Sequence, residues 1–113
     1  MGQRMTKRLK KDIQIITEAI KTKYQPEKII LFGSAARGEF EGGSDLDFFI
    51  IKLSKLPRHR RAIEIFHLLR GMDREYPVDF IVYTPKELEA RLALGDFFVK
   101  NILEEGEVLY ETK

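Results

Sequence analysis

Three aspartates lie where two apolar segments begin. Asp45 and Asp47 lead into the run Phe48–Ile51, and Asp79 follows Val78 at the head of a second apolar run. Because side chains alternate along a strand, Asp45 and Asp47 are expected on one face, about 6 to 7 Å apart at Cα. If the two strands are neighbours, Asp79 joins them and three carboxylates share one patch.

Such a patch requires either solvent or a cation, because aspartate is disfavoured in strands and like charges repel. The chain has no cysteine, so any metal must be held by oxygen or imidazole. Carboxylate oxygens are what Mg²⁺ takes, and paired ions can assist an in-line phosphoryl displacement. Two solvated acids at the exposed start of a strand are the simpler alternative for Asp45 and Asp47.

The stretch Gly33-Ser34 follows a short apolar run and is the second feature that could take part in chemistry. A glycine directly after a strand lets a ligand approach the main chain without a Cβ in the way. If Ser34 opens a short helix, its N–H groups and hydroxyl face an anion, for which phosphate is the natural candidate. Arg37 can either donate two hydrogen bonds to a phosphate or aspartate, or close the turn through a local salt bridge.

The elements that must position these residues follow from periodicity and from start and stop signals. Apolar residues at helical spacing predict helices, short β-branched and aromatic runs predict strands, and Thr84-Pro85-Lys86-Glu87 predicts a capping box. The predicted order is helix 5–23, strand 28–32, strand 45–52, helix 58–70, strand 78–83, a helix from 85 to Gly95, a helix from Asp96 to Gly106 and a small edge strand 108–110. This order predicts an α+β fold in which helices pack on a small mixed β-sheet.

The last two helices carry apolar residues whose roles differ in the prediction. Leu88 and Leu92 are expected to point inward. A second set is expected in the core, with an apolar interface as the alternative, and consists of Phe97, Phe98, Ile102 and Leu103.

Size and composition predict one globular domain over residues 1–113. The chain is 43% hydrophobic and 34% charged, which is enough apolar material for a core and too much for a disordered tail. No apolar run approaches the ~20 residues of a membrane span, and the basic N-terminal residues lead into no signal-like segment. A cytoplasmic location without membrane association is therefore expected.

Basic residues cluster in residues 1–23 and again between Lys52 and Arg61. A solvated face and a nucleic-acid patch both explain such clusters. Aromatic residues are not interleaved with these charges, which argues against nucleic-acid binding. A P-loop nucleotide-binding motif, G-x-x-x-x-G-K-[ST], does not occur in the sequence.

The ordered set GSAARG, SDLDFFI and VDFIV resembles the nucleotidyltransferases of the DNA polymerase β-like superfamily, over about residues 5–110. It is most similar to the minimal nucleotidyltransferase group, small proteins that consist of the catalytic domain alone. The resemblance implies that Gly33 and Ser34 hold the triphosphate of the nucleotide, ATP, and Arg37 is a further candidate for binding it. It also implies that Asp45 and Asp47 bind Mg²⁺, and that Asp79 completes the metal site and helps to deprotonate the attacking hydroxyl.

Members of that group resemble antitoxins encoded beside HEPN-domain toxins. The resemblance implies transfer of AMP from ATP to an acceptor hydroxyl, a tyrosine of a HEPN-domain toxin. The alternative is a non-catalytic binding module that neutralises its partner by contact. A few other residues have weaker expectations: Ser44 orients Asp45 or caps a turn, His59 and His67 have no evident ligand role, and Tyr76, Tyr83 and Tyr110 stack a base or pack at the core edge.

Overall fold

The computed structural model describes residues 6–39 and 45–112. Four helices and four strands follow one another in the order α1 (Lys7–Lys23), β1 (Lys28–Phe32), β2 (Leu46–Ile51), α2 (Arg58–Leu68), β3 (Val78–Tyr83), α3 (Pro85–Ala93), α4 (Phe97–Glu105) and β4 (Glu107–Glu111). This confirms the predicted α+β fold, and β1 and β3 have the predicted bounds. The other elements differ from the prediction by one or two residues at their ends, where regular structure frays.

The strands form one mixed sheet in the order β3-β2-β1-β4. β1 pairs antiparallel with β2 and with β4, whereas β2 and β3 are parallel and are connected through α2. The end of β1 and the starts of β2 and β3 therefore lie at the same edge of the sheet. All three predicted site segments come from this edge.

The two central strands of the sheet, β1 and β2, are buried on both faces. On one face, α1 and α2 cover Leu31, Phe48 and Phe80, among others. On the other face, Ile30 and Phe49 pack against α4, with Leu88 of α3 beside them. The central strand β2 is thus apolar on both sides after Asp47, which explains why its sequence reads as a continuous apolar run.

The predicted capping box is present and forms part of a larger clamp. Thr84 Oγ1 accepts a hydrogen bond from Glu87 N, and Glu87 Oε1 accepts one from Thr84 N. Glu87 also forms two hydrogen bonds with Arg61, whose guanidinium donates a further one to Val82 O. Arg61 is only 4% exposed, so this member of the basic segment joins α2 to α3 and is not part of a solvated face.

Two expectations about the last two helices are wrong. Leu92 was expected to point inward but is 40% exposed, and Phe97 and Phe98 were expected in the core but are 81% and 51% exposed. The predictions for Ile102 and Leu103 hold, since Ile102 is buried and Leu103 packs against the same cluster. Both predictions failed because α3 and α4 are short and present only a narrow stripe to the sheet.

Over the described residues, no helix combines the length and apolarity that crossing a membrane requires.

Candidate functional site

The register between β2 and β3 places two of the predicted acids side by side. Asp47 is the strand partner of Asp79, and adjacent strands lie about 4.8 Å apart. The alignment begins one residue earlier, where Leu46 N donates a hydrogen bond of 2.8 Å to Pro77 O. Phe49 and Ile81, two residues further along the strands, face α3 and α4. Because side chains two residues apart share a sheet face, Asp47 and Asp79 lie on that face as well.

A buried aspartate on α1 supports the segment that leads into β3. Asp12 is 6% exposed, and its Oδ2 accepts hydrogen bonds from the main-chain N–H groups of Glu75 and Tyr76. No local pattern indicates this role, because the partners lie more than sixty residues away. Asp12 thereby fixes the approach to β3 and, through it, the position of Asp79.

Gly33 lies against the Asp47 carboxylate. Its φ is +76°, and a Cβ built on this residue would stand 2.5 Å from Asp47 Oδ2. Any other residue would therefore push the carboxylate away and would also strain the main chain. The glycine that sequence analysis placed in a phosphate-binding turn thus also determines where Asp47 sits.

The carboxyl of Asp47 is electrostatically unusual. Burial is the largest cause that raises its pKa from 3.8 to about 6, and the negative charges of Asp79 and Asp45 act in the same direction. Arg37 acts in the opposite direction and lowers the pKa. The four side chains thus form one electrostatic cluster, in which a neighbouring cation would favour the ionised form of Asp47.

The residues after Gly33 form hydrogen-bonded turns and not the short helix considered from the sequence. Arg37 N donates to Gly33 O at 3.2 Å, and Glu39 N donates to Ser34 O at 2.8 Å. Arg37 Nε contacts Glu39 Oε1 at 3.1 Å, which is the local salt bridge that the sequence left open. Because this exposed salt bridge contributes little to stability, Arg37 can exchange Glu39 for a phosphate.

Asp45 and Asp79 contribute differently from Asp47. Asp45 is exposed and precedes β2, while Asp79 is exposed and its Oδ1 accepts a 3.0 Å hydrogen bond from Phe80 N. Within the described ranges, no three acidic, histidine or cysteine side chains are placed to hold a metal ion together. Joint ligation by all three aspartates therefore stays a prediction.

The donor set nevertheless fits Mg²⁺. This ion is commonly bound through one or two carboxylates, with waters and substrate phosphates supplying the remaining oxygens. Asp47 and Asp79 offer such a pair, and burial, together with the charges of Asp79 and Asp45, raises the pKa of Asp47. Gly33 lies against Asp47, and the charge of Arg37 acts on the same carboxyl.

A cavity of about 160 Å³ opens beside the Gly33 turn. Its lining includes Gly33, Arg37 and four residues of α4, namely Phe98, Asn101, Ile102 and Glu105. Sequence analysis did not assign these α4 residues to the site, and no local motif marks them. A larger cavity of about 410 Å³ includes Lys28 and Ile51, which pair at the opposite end of the strands. We assign the site to the smaller cavity because Gly33, which lines it, lies against Asp47.

The remaining candidates lie elsewhere or outside the described residues. His59 and His67 are exposed on α2, where His67 Nδ1 lies 2.9 Å from Arg70 Nη2. Tyr83 packs in the core, and its hydroxyl accepts a hydrogen bond from Arg58. Ser44 falls outside the described residues.

Comparison with known proteins identifies the family of the chain. Residues 13–109 match the family model described as "Nucleotidyltransferase domain". A protein of Methanocaldococcus jannaschii named "Putative protein adenylyltransferase" is 32% identical over 102 residues, covering 88% of this chain and 96% of that protein. The crystal structure of a nucleotidyltransferase, so named with the qualifier "putative", from Sulfolobus solfataricus superposes with a TM-score of 0.59 at 21% identity. The match covers 89% of this chain and 78% of that one, and it supports the fold.

The family match includes the Gly33 turn, β2 with Asp47 and β3 with Asp79, so it covers every described segment that builds the site. The chain belongs to the nucleotidyltransferase domain family and is a nucleotidyltransferase.

Proposed function

We propose that this protein is a Mg²⁺-dependent enzyme of the minimal nucleotidyltransferase group, one domain over residues 1–113, that transfers AMP from ATP to a hydroxyl of a partner protein. The observation that carries the proposal is the contact of Gly33 with the carboxylate of Asp47, which is itself the strand partner of Asp79. It supports the proposal because main chain without a Cβ lies next to a pair of acids. The name of the Methanocaldococcus relative supports a protein as the acceptor.

The roles of the residues follow from their positions. Asp47 and Asp79, with Asp45, would hold Mg²⁺, which supplies charge neutralisation at the α-phosphate and the pyrophosphate. Gly33, Ser34 and Arg37 would bind the triphosphate, with Arg37 releasing Glu39 to do so. Asp79 is exposed, so an incoming hydroxyl can reach it.

In the reaction, the acceptor oxygen forms a new bond to the α-phosphorus as the bond from that phosphorus to the bridging oxygen breaks. Pyrophosphate leaves with the electron pair of the broken bond. The proton of the hydroxyl passes to Asp79, whose exposed carboxylate oxygen is available to it. The positive charge of a nucleotide-bound ion would lower the raised pKa of Asp47 and so favour its ionised form further.

We further propose that the protein is a cytoplasmic antitoxin that modifies a tyrosine of a HEPN-domain toxin. This proposal follows the resemblance of the motifs around Gly33, Asp47 and Asp79. The test is to incubate the protein with ATP labelled at its α-phosphate, Mg²⁺ and an extract of its source cells. Wild-type protein should transfer label to a protein acceptor, and Asp47→Asn should transfer none. Equal labelling by the variant, or none by the wild type with any triphosphate, would refute the enzyme.

Neutralisation of a partner by contact alone is the second candidate function. The observation in its favour is the exposure of Leu94 and Phe97 at the turn between α3 and α4. Replacing Asp45, Asp47 and Asp79 together by Asn separates the two functions. If the triple variant still neutralises the partner, contact is sufficient, whereas lost neutralisation with retained binding supports catalysis.

A further inference from the structure

Three large apolar side chains are exposed where α3 turns into α4. Leu94 is 78% exposed, Phe97 is 81% exposed and Phe98 is 51% exposed, although they lie within five residues of one another. We call these three residues the apolar corner. Single exposed apolar residues are common, but a cluster of this kind marks a binding surface.

The apolar corner is held rigidly by its main chain. Gly95, at φ +75°, ends α3 in a Schellman motif, in which Gly95 N bonds Leu92 O and Asp96 N bonds Arg91 O, both at 3.0 Å. Asp96 then caps α4 by accepting a hydrogen bond from Val99 N. A surface fixed in this way loses little conformational entropy when a partner binds.

Folding does not explain why residues 94 and 97 are apolar. α4 packs on the sheet through Val99 and Ile102, and neither Leu94 nor Phe97 belongs to a core cluster. The hydrogen bonds of the corner come from the main chain and from Asp96, so polar side chains at positions 94 and 97 would keep them. The apolar character therefore points to a contact outside the chain.

The apolar corner is continuous with the active site. Phe98 lines the cavity beside Gly33 and Arg37, and its ring packs edge-on against Phe32 with centroids 6.0 Å apart. Phe32 is the strand partner of Asp47. A protein seated on Leu94 and Phe97 would thus have its neighbouring residues at the mouth of the cavity.

We propose that the apolar corner is the docking surface for the protein that receives the nucleotidyl group. An apolar patch of that protein covers Leu94 and Phe97, and its acceptor hydroxyl enters beside Phe98. The nearby charges favour apolar recognition, because Arg91 and Asp96 pair with each other at 3.8 Å. This inference rests on the proposed transfer to a protein hydroxyl.

The test compares two double variants. Leu94→Ser/Phe97→Ser removes the docking side chains and leaves Phe98 in place, while Leu53→Ser/Ile63→Ser removes exposed apolar side chains outside the corner. Calorimetry with ATP and Mg²⁺ should give the same affinity for both variants and the wild type, because none of the four residues lines the cavity. Initial rates of protein labelling are then measured over a dilution series of source-cell extract.

In dilute extract, we expect labelling by the docking variant to fall at least tenfold, and labelling by the control variant to stay within twofold of the wild type. The deficit should shrink in concentrated extract, since only acceptor binding is weakened. Equal labelling by the two variants would overturn the docking surface alone. So would a wild-type dimer that Leu94→Ser/Phe97→Ser converts to a monomer, because a second copy would then cover the corner. Absence of labelling by the wild type would overturn the proposed function itself, and this inference with it.

Discussion

Replacing Gly33 by alanine should separate stability from catalysis. At φ +76°, an alanine costs about 1 to 2 kcal/mol of main-chain strain. Its Cβ would also lie 2.5 Å from Asp47 Oδ2, about 1 Å closer than van der Waals contact allows. The carboxylate is the free end of a side chain, so it can rotate away at little further cost in folding free energy.

That rotation is expected to be expensive for the reaction. A misplacement of about 1 Å in a reacting constellation can cost on the order of 100-fold in rate. Gly33→Ala should therefore lower the rate of label transfer from ATP about 100-fold, whereas its free energy of unfolding should fall by only about 1 to 2 kcal/mol.

Gly71→Ala is the matched control. Gly71 has φ +82°, and a Cβ there would meet nothing within 4 Å. Urea unfolding should thus give a similar loss of unfolding free energy for both variants. Only Gly33→Ala should lose activity when both are assayed at a temperature well below their melting temperatures. Transfer by Gly33→Ala within a few-fold of the wild type would refute the role given to the contact with Asp47. An equal loss in Gly71→Ala would show that stability, and not geometry, limits the rate.

Two predictions concern pH. Because the raised pKa of Asp47 means that the folded state holds its proton more tightly, stability is lost as pH rises from 3.8 to about 6. In EDTA at pH 7.5, Asp47→Asn should therefore be more stable than the wild type by up to about 3 kcal/mol, or about half of that with solvent screening. The free energies of unfolding of the two proteins, measured in urea, should converge near pH 4. A stability difference that does not change with pH would contradict this prediction. The pKa of Glu87 is lowered from 4.5 to about 2, chiefly by its hydrogen bonds to Arg61, so its stabilisation is present above pH 4.5 and is lost as pH falls towards 2. Glu87→Gln should cost about 1 to 2 kcal/mol at pH 7 after allowance for its partial exposure, and this difference should vanish in acid; a difference that persists at pH 2 would show that the ion pair is not its source.

Local signals in the sequence were sufficient for most of the elements. The run from Lys28 to Phe32 is ended by a glycine, and the capping box at Thr84 correctly predicts the first residue of α3. Such signals act within a few residues, so they can be seen without knowing the fold. Strand alternation similarly indicated on which face Asp47 would lie.

Contacts between distant segments could not be predicted. Arg61 looked like one charge in a basic run, but its partner Glu87 is 26 residues away. Asp12 lies in the basic N-terminal segment, where no local pattern indicates that it is buried beside the approach to β3. Burial of such groups depends on which elements pack together, and neither composition nor periodicity specifies that.

The candidate site was predictable in part. The residue types and their order indicated the acids and the turn, but the register that pairs Asp47 with Asp79 exists only in the sheet. The contact of Gly33 with Asp47 and the lining of the cavity by Phe98 are also properties of the packed molecule. Helical spacing placed Phe97 and Phe98 in the core because it cannot show how narrow the buried stripe of α4 is.

The most direct test of the central claim is a crystal structure of the protein with Mn²⁺ and a non-hydrolysable ATP analogue, with the ion located by its anomalous scattering. The account predicts an ion bound by carboxylate oxygens of Asp47 and Asp79, with the triphosphate over Gly33 and its oxygens near Arg37. An ion or nucleotide bound elsewhere, with Asp47 and Asp79 in contact with neither, would contradict it.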